Sequence, residues 1–252
     1  MEGLHGDRDR AESFGSVAEQ YDRLRPDYPA VFMDDLAALA PTDVLDVGCG
    51  TGKVARALIE RGLRVLGVEP DGAMAAVARR HGVRVELARF EAWDPSGRTF
   101  DLLTAGHAWH WVDPASGLAK AASVTKPGGT VALFWNYHAV EAPLLEAFDG
   151  VYAASAPGLE VLGRDPTGSP DLDPFSGSDH FTPGERRTYR WARELGADDW
   201  VAMLATFGDH RRLAQDRLRE LQDELREAIN ANGGTVRSLC GTYVWLSRRT
   251  SA

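Results

Sequence analysis

Apolar residues form two alternating patterns in the first half of the chain. Five short, nearly continuous apolar segments are predicted strands: residues 44–47, 64–68, 84–87, 100–105 and 130–135. Between them, three stretches repeat apolar residues at helical spacing: 53–61, 73–81 and about 111–124. Strands that alternate with helices predict an α/β fold with a parallel, doubly wound sheet, right-handed crossovers and helices on both faces.

The N-terminal region predicts two helices before the first strand. Apolar residues between 14 and 24 fall on one helical face, and Ser16 with Glu19 has the spacing of a capping box. The prolines in 25–29 end this helix, and a second helix is predicted for about 30–39. Residues 1–12 are polar and are expected to be disordered at the start.

The pattern becomes irregular after the fifth strand. Residues 157–184 are rich in Pro, Gly, Asp and Ser, and such long irregular stretches are typical of a functional lid or mobile loop. Regular elements are predicted around it: helices at 143–154, 197–208 and 209–231, and strands at 186–191 and 235–248.

A glycine turn joins the first strand to the first helix, with glycines at 48, 50 and 52. Bare backbone there can approach a ligand at a helix N-terminus. The dinucleotide fingerprint fails because its third glycine position is Lys53, and the P-loop fails because Val47 and Val54 replace its first glycine and its hydroxyl. Asp46 on the strand would repel phosphate, so the turn favours a ligand with positive charge.

Ligands of open parallel sheets bind beyond the carboxyl ends of the strands. The candidate site therefore comprises the residues at those ends: Asp46 and the glycine turn, Glu69-Pro70, Arg89-Phe90-Glu91, residues 106–110 and Asn136-Tyr137-His138. Glu69 follows the turn by about 20 residues, a spacing at which a carboxylate binds the ribose hydroxyls of an adenosine. NAD enzymes and adenosylmethionine enzymes share this feature. A solvated strand-end acid beside a plain tight turn is the alternative.

Composition narrows the possible partners. The 252 residues carry a formal charge of 28 − 37 = −9, which disfavours nucleic acid and anionic membranes. Cys49 and Cys240 form no C-x-x-C pair, which argues against a zinc site or a disulfide framework and suits a reducing cytoplasm. No signal peptide or membrane span is recognised, so a soluble, cytoplasmic, metal-free protein is expected.

Several segments resemble, in order and spacing, the motifs of class I S-adenosylmethionine-dependent methyltransferases: DVLDVGCGTGKVA, GVEPDGAM, FEAWDPSGRTFDLLTAGHAWHWVDP and KPGGTVALFWN. The resemblance is strongest to the small-molecule branch that includes trans-aconitate and ubiquinone/menaquinone-biosynthesis-type enzymes. It covers about residues 14–140, and FGSVAEQYDRLRPDYP resembles the leading helix of that branch. The remainder matches only in outline, with an antiparallel last strand, and the implied fold is Rossmann-like with a lid and an N-terminal helix.

The resemblance implies S-adenosylmethionine as cofactor and a set of binding residues. The methionine part would contact Asp46, Gly48, Cys49, Gly50 and Gly52, with Tyr21 and Arg25 closing the site and His107 and Trp109 near the sulfonium. The adenosine would contact Glu69 through its ribose, and Pro70, Met74, Phe90 and Glu91 through its adenine. Many relatives carry Asp where this chain has Arg89, so the adenine contact rests on Phe90 backbone or on Glu91. Met74 and Phe90 have core positions as their alternative role.

The expected organisation is a single domain over residues 1–252, since no repeat or clean linker is seen. Its parts are an N-terminal helical cap at 1–40, a cofactor-binding core at 41–138, a lid insertion at 139–184 and C-terminal strands and helices at 185–252.

Methyl transfer needs alignment of the acceptor more than it needs a protein nucleophile. Trp109 and Trp111 can stabilise a nearby cation, although one of the two is expected in the core. His110 and His107 are the candidate general bases, with hydrogen bonding that shapes the pocket as their alternative role. Arg25 can hold a carboxylate of the acceptor or of the cofactor, or lie on the surface as part of the proline turn.

The predicted function is O- or C-methylation of a small molecule with a carboxylate, phenol or ring acceptor, by a monomer or homodimer. A non-catalytic S-adenosylmethionine-binding module and, less favoured, an NAD-dependent oxidoreductase are the alternatives. A nucleic-acid or protein methyltransferase is disfavoured by the charge and by the sequence AGHA at 105–108, where such enzymes carry an N/D-P-P motif.

Overall fold

The computed structural model describes residue 6, residues 13–164 and residues 173–250. Its helices are α1 (Ala18–Leu24), α2 (Ala30–Ala38), α3 (Lys53–Ile59), α4 (Gly72–Arg80), α5 (Pro114–Val124), α6 (Leu144–Ser155), α7 (Ala197–Leu204) and α8 (Gln215–Ala231). Its strands are β1 (Asp43–Val47), β2 (Arg64–Glu69), β3 (Arg84–Leu87), β4 (Phe100–Gly106), β5 (Thr125–Val140), β6 (Glu185–Gly196) and β7 (Thr235–Arg248). Short 3₁₀ turns occur at Ser13–Val17, Phe90–Ala92, Trp109–Trp111 and His210–Arg212.

Within the described residues the strands form one seven-stranded sheet in the order β3-β2-β1-β4-β5-β7-β6. Strands β1 to β5 pair in parallel, and β7 runs antiparallel to both β5 and β6. The predicted fold class, a mostly parallel doubly wound sheet with an antiparallel last strand, is confirmed. The chain order reverses between β1 and β4, which makes their carboxyl ends the place where such sheets bind ligands.

Both faces of the parallel region are covered, which explains its continuous apolar runs. Val44 and Leu45 are both fully buried although their side chains point to opposite faces. Val44 packs in a cluster with Phe32 of α2 and Leu58 of α3, while Leu45 belongs to the cluster on the other face. Neighbouring residues of one strand thus support two separate cores.

Strand β5 begins five residues earlier than predicted. The predicted turn at 126–129 lies within it as an irregularity, since Phe100 pairs with Thr125 and Leu102 already pairs with Thr130. Gly128 has a φ of 75° there, in the region that favours glycine. The predicted turn is therefore present, but β5 already begins before it, at Thr125.

The N-terminal helix is predicted correctly in place but not in its start. Residues Ser13–Val17 form a 3₁₀ turn, and no side chain caps α1. The capping box at Ser16 and Glu19 is wrong, because the Ser16 hydroxyl instead accepts a hydrogen bond from Arg211 at 2.7 Å. The predicted disorder of residues 1–12 lies, apart from Gly6, outside the described residues.

Helices α6, α7 and α8 form a third layer over the carboxyl-terminal end of β5 and the amino-terminal end of β7. Trp200 of α7 and Leu225 of α8 are fully buried in their shared cluster, together with Phe148 of α6. The predicted helix 209–231 is divided into a 3₁₀ turn and α8, and the predicted helix 197–208 ends at Leu204. Residues 157–164 and 173–184 contain no helix or long strand, as predicted, and residues 165–172 lie outside the described part of the chain.

The described part of the chain contains no helix that combines the length and the apolar character needed to cross a membrane.

Candidate active site

Two adjoining cavities lie at the carboxyl ends of the parallel strands. The larger cavity has a volume of about 280 Å³ and the smaller about 40 Å³. Six residues line both: Tyr21, Arg25, Gly48, Gly50, Gly106 and His107. The cavities therefore form one continuous site, at the sheet edge where the sequence predicts the ligand.

The glycine turn is held close to the ends of β2 and β4. The backbone N–H groups of Gly48 and Cys49 donate to the Val68 carbonyl at 2.8 and 3.2 Å. Gly48 has a φ of 62°, and a Cβ at this position would come within 2.5 Å of the Ala108 side chain. A side chain at residue 48 is thus excluded by both conformation and space. The floor of both cavities is consequently bare backbone.

Gly52 lines neither cavity, although the resemblance implies a cofactor contact there. Its φ is 85°, and a Cβ would meet Ala78 of α4 and Val83 at 3.1 and 3.0 Å. Gly52 therefore allows α4 to pack against the turn. The Cys49 sulfur fills the space above Gly67, and Cys49 lines the smaller cavity only.

Glu69 ends β2 and lines the larger cavity, with 6% of its surface exposed. Its Oε2 accepts a hydrogen bond from the Gly50 N–H at 2.8 Å, and its Oε1 accepts one from the Asp71 N–H at 2.9 Å. Burial raises the pKa of Glu69 to about 7, and the two backbone donors lower it in part. Each oxygen keeps a second lone pair, so the carboxylate can still accept from two vicinal hydroxyls.

Asp46 lies at the end of β1, is 1% exposed and lines the smaller cavity. Its Oδ1 accepts from the Thr104 hydroxyl at 2.7 Å, and its Oδ2 has no hydrogen-bond partner in the described residues. Burial raises the pKa of Asp46 to about 7, with Glu69 adding to the rise. A buried carboxylate with one unpartnered oxygen is suited to a ligand cation.

The far side of the larger cavity is lined by Pro70, Met74, Phe90 and Glu91, and by Arg89. Glu91 also accepts from the Asp113 N–H at 3.2 Å, which ties the cavity wall to the start of α5. The sequence placed all four of the predicted residues at this side, and the structure brings them together around the same cavity.

Arg25 follows α1 and reaches across to the C-terminal layer. Its Nε and Nη2 donate to the hydroxyl and carbonyl oxygens of Thr206, both at 2.8 Å, and its guanidinium lies 3.3 Å from the Phe207 ring centre. Burial lowers the pKa of Arg25 to about 10. Among the described residues no carboxylate forms an ion pair with Arg25. Arg25 lines both cavities, so its remaining N–H donors are left for a ligand.

His107 and His110 each use a ring nitrogen to accept a hydrogen bond from the protein. The Asn136 N–H donates to His107 Nε2 at 2.7 Å, and the Trp135 indole N–H donates to His110 Nδ1 at 3.1 Å. The neutral rings therefore carry their protons on Nδ1 and Nε2 respectively. Burial keeps the pKa of His107 well below its usual range, and its φ of 53° lies in the left-handed region. Such backbone strain is typical of functional sites.

Trp109 lines neither cavity, so the cofactor contact predicted for it stays a prediction that the cavity lining does not support. Its ring is 6% exposed and packs against Phe90 at 6.1 Å between ring centres and over Gly117. Trp111 instead lines the larger cavity, where Phe14 packs edge-on against it. The two indoles diverge because residues two apart in a 3₁₀ turn point in different directions.

The C-terminal layer contributes residues that the sequence did not predict. Phe207, Gly208 and Asp209 line the larger cavity. They follow α7 without a motif, and only the packing of α7 and α8 brings them here. Asn136 and His138 line the smaller cavity, as the strand-end rule suggested, whereas Tyr137 points to the other face and stacks on Tyr243 at 4.5 Å.

Comparison with known proteins identifies the family. Residues 44–129 match the methyltransferase domain family. An uncharacterized methyltransferase of Mycobacterium tuberculosis is 32% identical over 235 residues, which are 90% of this chain and 92% of the relative. The chain belongs to the class I S-adenosylmethionine-dependent methyltransferases.

Two further similar proteins are also described as methyltransferases. A ubiquinone biosynthesis O-methyltransferase of Pseudomonas aeruginosa is 31% identical over 73% of this chain and 78% of the relative. The structure of a candidate type II methyltransferase from Anaeromyxobacter dehalogenans is 25% identical, covers 89% of this chain and 97% of that chain, and has a TM-score of 0.65. The predicted enzyme class and the predicted cofactor, S-adenosylmethionine, are confirmed, and the NAD-dependent oxidoreductase is set aside.

Proposed function

We propose that this methyltransferase transfers the methyl group of S-adenosylmethionine to an oxygen or carbon atom of a small molecule bound in the larger cavity. The observation that carries the proposal is the arrangement of the two cavities. Asp46 lines the smaller cavity, and the larger cavity beside it is lined by Glu69 together with the aromatic residues Trp111 and Phe207. The cofactor supplies a methyl group on a cationic sulfonium, so the protein needs to supply alignment and charge complementarity.

The residues present fit the cofactor. Glu69 holds both ribose hydroxyls through the lone pairs left free by its backbone donors. Asp46 lines the smaller cavity and would supply the negative charge for the amino group of the methionine part. Further contacts come from the backbone of the glycine turn and from the adenine side: Gly48, Cys49, Gly50, Pro70, Met74, Phe90 and Glu91. Gly52 acts indirectly, through the packing of α4.

Tyr21 and Arg25 close the methionine end of the site. Both line the two cavities, and Thr206 fixes the guanidinium in position. The aromatic residues Phe14 and Trp111 line the larger cavity, where they would be near the sulfonium of the bound cofactor. Such rings stabilise a nearby cation by about 0.5–2 kcal/mol, which favours the charged form of the cofactor over its neutral product.

The histidines act as hydrogen-bond donors and not as general bases. Since Nε2 of His107 and Nδ1 of His110 already accept from Asn136 and Trp135, neither lone pair is available for an acceptor proton. Without a base from these two histidines, an acceptor that reacts as an anion is favoured, such as a carboxylate or an acidic phenol. Alignment alone contributes roughly 7–11 kcal/mol in favourable cases.

The acceptor is a small molecule. A cavity of about 280 Å³ has to hold the adenosine and the reacting part of the acceptor together. A net charge of −9 disfavours nucleic acid, and the Pseudomonas aeruginosa relative is an O-methyltransferase of ubiquinone biosynthesis. Oxygen is therefore the favoured methylated atom.

The test is product formation from S-adenosylmethionine across a panel of phenols, catechols, and di- and tricarboxylic acids, followed by mass spectrometry. A methylated product formed together with equal amounts of S-adenosylhomocysteine supports the proposal. Calorimetric binding of S-adenosylhomocysteine without turnover on any acceptor would favour the non-catalytic binding module. Methylation of a nucleic acid or a protein, and of none of the small molecules, would contradict the proposed acceptor class.

A further inference from the structure

Asn136 of β5 is oriented by a hydrogen-bond relay from the last two strands. The Trp191 indole N–H donates to the Thr242 hydroxyl oxygen at 3.2 Å, and the Thr242 hydroxyl donates to Asn136 Oδ1 at 2.6 Å. An indole nitrogen only donates, so Thr242 has its one proton left for Asn136. Thr242 is fully buried, and in the described residues its hydroxyl has no other acceptor. The relay therefore fixes the orientation of the Asn136 side-chain amide, with its oxygen toward Thr242.

The amide nitrogen of Asn136 is consequently the end presented to the smaller cavity, which Asn136 lines. No hydrogen bond to this nitrogen occurs within the described residues, and it is not among their sealed, unpartnered atoms. Two N–H donors are thus held at the cavity wall without a protein acceptor.

Two other residues that line the smaller cavity also offer N–H donors. Arg25 keeps Nη1 unused after its two bonds to Thr206, and it has no carboxylate partner in the described part of the chain. His107 accepts the Asn136 N–H through Nε2, so its Nδ1 carries the ring proton. All three residues line the smaller cavity. Three residues that each offer an N–H donor to one small cavity favour an anionic oxygen.

The buried Asp46 also lines this cavity. A volume of about 40 Å³ suits a group of a few heavy atoms, not a second ring. A cavity lined by an acid and by several donors would match the two charges of an amino acid end. Its donors alone would match the carboxylate of an acceptor that reaches this point.

We infer that the smaller cavity is a carboxylate-binding subsite in which the Asn136 amide binds a carboxylate oxygen beside Arg25. Thr242 and Trp191 are positioning residues for that amide. The inference rests on the proposed cofactor site and adds to it a binding residue and a relay from the antiparallel edge of the sheet. The carboxylate can come from the cofactor or from the acceptor, and the experiment distinguishes the two sources.

The first arm measures calorimetric binding of S-adenosylhomocysteine and of 5′-deoxy-5′-methylthioadenosine, which lacks the amino acid end. Asn136→Asp replaces the donor by a negative charge and is expected to weaken S-adenosylhomocysteine by about tenfold or more. Methylthioadenosine should change by less than about twofold. Asn136→Leu removes the donor without adding charge, and should weaken S-adenosylhomocysteine by roughly three- to tenfold.

The relay is tested with Thr242→Val, which should weaken S-adenosylhomocysteine by roughly two- to fivefold and leave methylthioadenosine unchanged. Thr242→Ser keeps the hydroxyl and should restore wild-type binding. Thr125→Val is the matched control, because Thr125 is equally buried on β5 but its hydroxyl has no hydrogen-bond partner. Binding of methylthioadenosine also shows that each variant is folded.

The second arm uses trans-cinnamate and cinnamamide as probes of the S-adenosylhomocysteine complex, followed by saturation-transfer NMR. If Asn136→Asp abolishes cinnamate binding but leaves S-adenosylhomocysteine binding intact, the carboxylate belongs to the acceptor. If the variant weakens S-adenosylhomocysteine selectively, the carboxylate belongs to the cofactor. If neither ligand is affected by either Asn136 variant, the inference is overturned. Failure of both nucleosides to bind the wild-type protein would instead remove the proposed cofactor site.

Discussion

The two walls of the active site bury groups of opposite charge, and burial disfavours the charged form on both. On the β1–β2 wall, burial raises the pKa of both Asp46 and Glu69 to about 7. On the wall formed by the end of α1 and by β4 and β5, burial lowers the pKa of Arg25 to about 10 and the pKa of His138 to about 3. In the described part of the chain neither acid forms an ion pair with Arg25, although all three residues line the adjoining cavities. A ligand with both charges would satisfy the two walls at once.

The walls also differ in how the chain builds them. The acidic wall depends on neighbours in sequence, since Glu69 accepts from Gly50, 19 residues away, and from Asp71, two residues away. The donor wall depends on distant pairs, since Arg25 bonds to Thr206, 181 residues away, and Asn136 to Thr242, 106 residues away. The acidic wall belongs to the parallel core, whereas the donor wall requires the C-terminal strands and helices to be in place.

Removing the acid of the first wall should have the largest effect. Glu69→Ala deletes two charge-assisted hydrogen bonds to the ribose and leaves the Gly50 and Asp71 N–H groups without their acceptor. We expect affinity for S-adenosylhomocysteine to fall on the order of 100-fold, about 2.7 kcal/mol, by calorimetry.

The control for this loss is Glu86→Ala on the neighbouring strand β3. Glu86 forms an ion pair with Arg98 at 2.7 Å. Neither residue lines the larger cavity. This variant should bind S-adenosylhomocysteine as tightly as wild type. A loss of less than about threefold in Glu69→Ala would show that the ribose is held elsewhere.

The same contrast explains what the sequence could predict. The acidic wall was recognised because Asp46, the glycine turn and Glu69 are a strand, a turn and a strand end, each with a local signal. Trp109 and Trp111 also follow the end of a strand, so the local signal includes both. Which indole packs in the core and which lines the cavity depends on the direction of the 3₁₀ turn. Phe207 and Asp209 carry no motif, because their place depends on how α7 and α8 pack against Arg25. The tautomers of His107 and His110 depend on backbone and indole donors from β5, which no spacing reveals.

Removing the cation of the second wall should separate stability from binding. Arg25→Met deletes a guanidinium that lacks an acid partner and keeps an apolar side chain against Phe207. Because unpaired buried charge opposes folding, the melting temperature of the free protein should fall by less than about 2 °C or rise. Affinity for S-adenosylhomocysteine should fall by roughly 10- to 30-fold.

Arg61→Met is the control for Arg25→Met, since Arg61 pairs with Asp34 at the surface at 2.7 Å. It should change neither quantity appreciably. A large fall in the melting temperature of Arg25→Met would mean that the Thr206 bonds outweigh the cost of the buried charge. Unchanged affinity would mean that Arg25 does not contact the ligand.

The acidic wall should make cofactor binding depend on pH. Since the pKa of Asp46 and of Glu69 is raised to about 7 in the free protein, both carry protons at pH 6. These protons must leave when the two carboxylates bind the amino group and the ribose hydroxyls of the cofactor. Affinity for S-adenosylmethionine should rise as pH increases from about 5.5 to 7.5, by up to about tenfold per pH unit and group, and then level off. Calorimetry at pH 6.5 in buffers of different ionisation enthalpy would measure the released protons.

The same groups set the sign of the stability change. Their folded pKa lies above the value of about 4 in the unfolded chain, so the folded protein binds more protons between about pH 4 and 7. Their contribution to the free energy of unfolding is therefore lost as pH rises through that window. Asp46→Asn should weaken this dependence and release fewer protons on binding. Binding without proton release at pH 6.5 in the wild type would contradict the description of the acidic wall.

The smallest expected effect tests how the donor wall fixes His110. Trp135→Phe keeps a ring at the same place and removes the indole N–H that bonds to His110 Nδ1 at 3.1 Å. Since one hydrogen bond contributes about 0.5–1.5 kcal/mol, the melting temperature should fall by roughly 1–6 °C and S-adenosylhomocysteine affinity should change by less than about threefold. The decisive readout is ¹⁵N NMR of the His110 ring.

Wild type should show the Nε2–H tautomer of His110, and Trp135→Phe a mixture of both tautomers, because Nδ1 no longer has a fixed donor. Trp191→Phe removes an indole N–H from the same sheet, but one that bonds to Thr242, so it should leave His110 unchanged. If the wild-type ring were protonated on Nδ1, the Trp135 bond would be absent in solution and His110 would regain a lone pair for general base catalysis. Such a result would make the two walls complementary in proton transfer as well as in charge, and an acceptor with a bound proton, such as a simple phenol, would then be favoured over a carboxylate.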